Sequence, residues 1–228
     1  MPSAGRELRA QAGTVERLFV THADFDHYGG AQAFADLPIL ASEQTAKTIR
    51  EIGPGRVAGM KEQMETYLAE LEDESEREQA LLIAAEVPTL ELAPPTETFT
   101  GERDLGDVVA IELGAAHTAS DSIVWFPAER VLFTGDLVGV SGHLNLTRGF
   151  PPENWLAFLD RMAALEPLHV VPGHGEPAGP EAIVACREYI ETVVELAGTP
   201  GDHEIPARYD GWLFPEGFAQ NIEALRTR

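Results

Sequence analysis

Two histidines and two aspartates fall between His22 and His27, in the segment Thr21-His22-Ala23-Asp24-Phe25-Asp26-His27. They follow the apolar run Leu18-Phe19-Val20, so the pattern reads as a buried strand that delivers several polar side chains to one turn. Three further segments share this design. His117 stands in Gly114-Ala115-Ala116-His117-Thr118, Asp136 in Phe133-Thr134-Gly135-Asp136 and His174 in Val171-Pro172-Gly173-His174-Gly175. Imidazole nitrogens and carboxylate oxygens are the donors that zinc and similar ions take. The pooled candidates are His22, Asp24, Asp26, His27, His117, Asp136 and His174, enough for two ions with positions open to water and substrate. Two such ions, roughly 3.5–4 Å apart in known sites, can ionise a bound water near neutral pH and polarise a carbonyl.

The elements that must present these residues are legible around them. A short helix is expected at 5–12 and a strand at 15–20. A helix is expected at 29–36 and a strand at Pro38–Ala41, with Ser42 as N-cap of a helix over 43–52 that Gly53-Pro54-Gly55 ends. Residues 56–86 read as two helices: Val57, Met60, Met64, Tyr67, Leu68 and Leu71 recur at helical spacing, and the acidic stretch Glu70–Glu78 reads as the solvated turn between them. Strands follow near 96–100, 107–113, 122–126 and 131–135. A helix then runs from Pro151 to Leu165, a strand over Leu168–Val171, a long helix from Pro180 to Gly198 and a last helix over 216–226. Mixed strands and helices with ligands at strand ends indicate a layered α/β architecture in one domain, 1–228.

Composition narrows the partners. With 38 acidic and 16 basic residues the formal net charge is −22. Such a surface repels phosphate backbones, so no nucleic-acid partner is expected. No apolar run is long enough to span a membrane, and the N-terminus has no apolar signal-like core. A single cysteine, Cys186, excludes an internal disulfide and suits a reducing compartment. The expected location is the cytoplasm and the expected partner a small-molecule substrate.

Taken in order, the four segments resemble the metallo-β-lactamase-fold superfamily, whose motif is His-x-His-x-Asp-His followed by separate His, Asp and His ligands. The resemblance covers the chain from about residue 5 onward and implies an αββα sandwich. It implies one metal on His22, position 24 and His117, a second on Asp26, His27 and His174, and Asp136 bridging them. It makes Asp26 the catalytic residue that orients the attacking hydroxide and passes a proton to the leaving group. Asp136 stands where some β-lactamases of this family carry a cysteine, so β-lactam hydrolysis of that type is not expected.

Two departures stand out. The middle histidine of the motif is Asp24, which reaches less far than an imidazole and makes a harder, more oxygen-rich site. Only 21 residues precede His22, so the usual N-terminal strands are expected to be absent, with a homodimer covering the exposed sheet edge. The helices near 56–86 read as an insertion that sets substrate choice.

Other side chains carry two readings each. Tyr28 could donate to a bound oxyanion or pack on the following helix. His143 could touch substrate or sit on an exposed loop. Tyr209, Trp212 and Phe214 could wall the pocket or anchor the last helix. The reading that unites these features is a metal-dependent hydrolase: metal-bound hydroxide attacks an ester, thioester or lactone carbonyl, with two zinc ions, or iron in their place. The alternatives are a mononuclear non-haem iron oxidoreductase on His22, His117 and Asp136, resembling persulfide dioxygenases, and a catalytically impaired relative.

Overall fold

The computed structural model describes residues 1–71 and 73–228, the side chains of 75, 76 and 79 excepted, so the part of the acidic stretch at Glu72 lies outside the described residues. The chain forms two compact units, Met1–Thr98 and Phe99–Arg228.

In the first unit α1 (Pro2–Gln11) precedes β1 (Leu18–Phe19), α2 (Phe25–Tyr28) and a 3-10 turn at Ala31–Phe34. Then come β2 (Ile39–Ser42), α3 (Glu43–Glu70), α4 (Glu74–Glu86) and a 3-10 turn at Val87–Thr89, and β3 (Glu97–Phe99) ends at the unit boundary. The three strands form one sheet in the order β1-β2-β3, with Leu18 and Phe19 of β1 parallel to Ile39 and Leu40 of β2. Its core gathers Val20, Ala23, Tyr28, Ala31, Ile39, Ala41, Ala46 and Ile49. The Ser42 hydroxyl accepts from the Thr45 amide at 3.1 Å, the expected N-cap of α3, a contact worth about 1 kcal/mol.

Gly53-Pro54-Gly55 does not end α3, contrary to the sequence expectation: the helix runs on to Glu70 with Pro54 inside it. A proline normally expels the preceding residue from helical geometry through a clash with its Cβ. Gly53 has no Cβ, and the same feature lets it lie on the buried face, where a Cβ would stand 3.0 Å from Leu92 Cδ1. The expected turn over Glu70–Glu78 is also shorter, because α4 already starts at Glu74.

The second unit holds a five-stranded sheet in the order β4-β5-β6-β7-β8: β4 (Glu102–Asp104), β5 (Val109–Gly114), β6 (Asp121–Phe126), β7 (Val131–Gly139) and β8 (His169–His174). The first four pair antiparallel, and β8 joins β7 in parallel. That parallel pairing requires a crossover, which α5 (Pro152–Ala163) supplies. The helices α6 (Glu181–Ala197) and α7 (Glu216–Arg226) follow. The core joins Ile123, Leu132, Leu137 and Val170 of the sheet to Trp155, Leu159 and Met162 of α5 and Cys186, Tyr189 and Ile190 of α6. Register shifts interrupt β5 between Glu112 and Gly114, and β7 at Gly135. Such bulges re-aim the residues that follow, here His117 and Asp136. Among the described residues no helix is long and apolar enough to cross a membrane.

Candidate metal centre

In the first unit, the Val20 amide extends the parallel ladder by donating to Leu40 O at 2.9 Å. The chain then leaves the sheet and turns at His22 and Asp24. Asp24 takes extended geometry at φ −84°, ψ 142° and starts α2, whose first turn carries Asp26 and His27. Four ligand candidates are thus set on one turn by a strand end and a helix start. His22 is buried, with Nδ1 2.9 Å from Thr21 Oγ1 and Nε2 3.7 Å from Asp24 Oδ2. His27 Nε2 lies 3.2 Å from Asp26 Oδ2, and the rings of His22 and His27 stand 4.2 Å apart. The Asp26 side chain is 59% exposed, open to an incoming molecule.

Tyr28 is buried in the unit's core, its ring edge-on to Phe25 at 5.3 Å. Burial raises the pKa of its hydroxyl, against the lowering influence of Arg56, so it stays neutral. Arg56, on α3, reaches back to this turn: its Nη1 donates to Ala23 O at 3.3 Å and lies 3.9 Å from Asp24 Oδ1.

In the second unit, the loop between β5 and β6 carries His117. The Asp121 carboxylate organises it, accepting from the amides of Ala116 at 3.1 Å, His117 at 2.8 Å and Thr118 at 2.9 Å, and from Thr118 Oγ1 at 2.7 Å. Burial pushes the Asp121 carboxyl up from its ordinary value while the Thr118 bonds hold it down. The start of α5 braces the same loop: Asn154 Nδ2 donates to Ala115 O at 2.9 Å, and Trp155 stands edge-on to His117 at 5.8 Å. Asp136, on β7, places Oδ2 at 3.3 Å from His117 Nε2 and at 3.5 Å from His174 Nε2. One carboxylate oxygen therefore serves two imidazoles. Gly173 makes room for it, because a Cβ there would overlap the Asp136 carboxylate.

His143 is buried, not exposed on its loop. Its Nδ1 lies 3.1 Å from the Tyr189 hydroxyl, and its ring meets Tyr189, Tyr209, Trp212 and Phe218 edge-on at 5.3–6.5 Å. Tyr209 and Trp212 belong to this packing. Phe214 does not: it is exposed, holds a left-handed backbone at φ 61°, and places its ring 6.4 Å from His174. Sequence reasoning missed Asp121 and Arg56. The polar turn Thr118-Ala119-Ser120-Asp121 directly after a ligand candidate was the available signal for the first.

The sequence pattern of the metallo-beta-lactamase superfamily matches residues 2–174, the whole span from α1 to the last of these ligand candidates. The chain belongs to the metallo-beta-lactamase superfamily. Among proteins of this superfamily, a metallo-beta-lactamase type 2 from Bacteroides fragilis is 27% identical over 115 residues, covering 46% of this chain and 44% of that protein. The alignment thus spans under half of that relative. TMB-1 aligns over 83% of this chain and 74% of its own, with a TM-score of 0.57 at 17% identity. DIM-1 aligns over 83% of this chain and 75% of its own, with a TM-score of 0.56 at 19% identity. The mono-zinc form of FIM-1 from Pseudomonas aeruginosa covers 82% of this chain and 71% of its own, with a TM-score of 0.54 at 19% identity. At these identities the likeness is one of fold: this is a metallo-beta-lactamase-like α/β chain. Its donor set suits a metal, since the ligand atoms of His22 and Asp24, of Asp26 and His27, and of His117 and Asp136 each lie within 4.8 Å of one another.

Proposed function

We propose that this protein is a metal-dependent hydrolase acting on an ester, thioester or lactone carbonyl, with two zinc ions as its cofactor. The observation that carries the reading is Asp136, whose Oδ2 stands 3.3 Å from His117 and 3.5 Å from His174. A carboxylate shared by two imidazoles suits the bridging position between two ions. In this reading, as the family resemblance implies, His22, Asp24 and His117 would hold one ion, Asp26, His27 and His174 would hold the other, and Asp136 would supply a carboxylate to them. Superfamily membership supports the grouping, and the mono-zinc relative supports zinc as the metal. When bound, the metal supplies an ionised water near neutral pH and a Lewis acid for the carbonyl.

The chain's own residues do the rest. Asp26, exposed at the start of α2, orients the nucleophile and hands a proton to the leaving group. Asp121 fixes the His117 loop, and Arg56 fixes the Ala23–Asp24 turn. Tyr28 and His143 are both buried, and this reading assigns them no contact with the substrate. Asp136 in place of a cysteine ligand turns the reading away from β-lactam hydrolysis of the cysteine type and towards simpler acyl compounds.

Elemental analysis of protein purified without added metal tests this. Two zinc ions per chain, with ester or lactone turnover, are expected, and His174→Ala abolishes both the second ion and turnover. One iron per chain that survives His174→Ala overturns the reading in favour of a mononuclear oxidoreductase on His22, His117 and Asp136.

A further inference from the structure

The first unit carries a groove of about 550 Å³ lined by Phe25, Ile52, Gly55, Arg56, Gly59, Met60 and Gln63. Its volume lies in the range of small-molecule sites. One wall is Phe25, the residue between Asp24 and Asp26. The other is a single face of α3, because positions 52, 55, 56, 59, 60 and 63 recur at helical spacing. This face exists only because α3 passes through Pro54 unbroken. Gly55 and Gly59 border open space: a Cβ at either position would meet nothing within 4 Å.

The lining is apolar except for Gln63 and one cation. Arg56 is 40% exposed on its side chain; its Nη1 meets Ala23 O and Asp24 Oδ1, and its guanidinium also acts on the Tyr28 hydroxyl. A guanidinium presents five donors in a fork that matches a carboxylate, more than these contacts use, so binding capacity remains. The setting is otherwise hostile to anions, at a formal net charge of −22. An arginine placed in an apolar groove, one turn from candidate ligands, is a local exception that selects for a negative group.

We propose that this groove binds the non-reacting end of the substrate, an apolar acyl chain that ends in a carboxylate, with the chain along Phe25, Ile52 and Met60 and the carboxylate on Arg56. The assignment rests on the hydrolase reading above and names its substrate class: half-esters, or lactones and thioesters with a free carboxylate. Arg56 is the specificity-determining residue.

The test compares para-nitrophenyl hexanoate with its carboxylate-ended counterpart, mono-para-nitrophenyl adipate, on the protein as purified. The adipate half-ester is expected to be preferred. Arg56→Gln should lower the adipate-to-hexanoate ratio of kcat/KM by about tenfold or more. An arginine that only braces Ala23 and Asp24 shifts both esters alike and leaves the ratio unchanged, which overturns the assignment. Gly59→Leu fills the groove without meeting other atoms at Cβ, so it should lower kcat/KM for both long-chain esters relative to para-nitrophenyl acetate. An unchanged chain-length preference also overturns it.

Calorimetric binding of monomethyl adipate gives a readout independent of turnover. Binding that Arg56→Gln weakens, in a protein that hydrolyses no ester, upholds the groove and removes the hydrolase reading. Hydrolysis of both esters with no effect of Arg56→Gln on ratio or binding removes the groove and leaves the hydrolase reading standing.

Discussion

Asp136 and Gly173 occupy adjoining strands so closely that the carboxylate of the first fills the place where a side chain of the second would begin. The space is set by backbone, because Gly135 and Asp136 themselves flank it, a Cβ at 173 standing 2.8 Å from the Asp136 amide nitrogen. Gly173→Ala should therefore push the carboxylate off His117 and His174. Overpacking of this kind costs about 1–3 kcal/mol. Metal content per chain is expected to fall along with the melting temperature. Full metal content in a folded Gly173→Ala protein would show that Asp136 has another position from which to bind.

Asp121 makes the second prediction. Replacing it with alanine strands two amides, of His117 and Thr118, in a buried loop, while the Ala116 amide keeps Thr118 O at 3.1 Å. Each unsatisfied buried donor costs about 1–3 kcal/mol. Asp121→Ala should lose several kcal/mol of unfolding free energy in urea melts. Asp121→Asn keeps an acceptor oxygen and should recover part of that loss.

The His143 network fixes a protonation state. Asn221 Oδ1 accepts from the Leu146 amide at 2.8 Å, so Nδ2 points to the Tyr189 hydroxyl at 3.0 Å and donates to it. The Tyr189 hydroxyl then donates to His143 Nδ1 at 3.1 Å, an arrangement that needs a neutral ring. Burial lowers the His143 pKa from its ordinary 6.5, opposed by Glu216. The unfolded chain thus takes up a proton that the folded one refuses. This penalty is absent well above 6.5 and grows as pH falls below it. His143→Gln should flatten the loss of stability between about pH 7 and pH 5, and the imidazole resonances of the parent should stay neutral to below the usual midpoint.

Cys186 is sealed in the core, its thiol donating to Gly139 O at 3.3 Å, and burial pushes its pKa up to about 11. The thiolate is the reactive form. Iodoacetamide at mildly alkaline pH should leave the native protein unlabelled and label it once urea unfolds it. Stability should also fall between the unfolded value of 9.0 and about 11, where only the unfolded thiol ionises.

Phe214 combines exposure, a left-handed backbone and a position beside His174. A side chain in that backbone region costs roughly 1–2 kcal/mol. Phe214→Gly should raise the melting temperature while raising KM for ester substrates. A KM unchanged in that variant would leave Phe214 with no part in substrate contact.

The ligand turns were readable because each joins a polar cluster to an apolar run that only a buried strand accommodates. The rest was hidden for physical reasons. β4 is Glu102-Arg103-Asp104, all polar, and nothing in its composition marks it as a strand. The passage of α3 through Gly53-Pro54-Gly55 defies the usual meaning of those residues, Gly53 relieving one of the clashes, that with the preceding Cβ, by which proline disfavours a helix. Without that continuity Arg56 has no visible relation to Ile52 or Met60. His143 looked like a loop residue because its aromatic surroundings come from positions 189, 209, 212 and 218, distant in sequence. Asp121 was overlooked because its work is done on backbone amides, which leave no mark on the neighbouring residue types.

The buried residues of α3, namely Thr45, Ala46, Ile49 and Gly53, all lie before Pro54. The half that walls the groove is anchored at one end and carries little of the core's weight. Replacements at 59, 60 or 63 therefore disturb folding far less than replacements beside the ligand turns do. A lineage can retune what such a groove admits in single steps while its catalytic apparatus stays as it was, which makes this stretch of helix the natural place for new substrate preferences to arise, and for a designer to start.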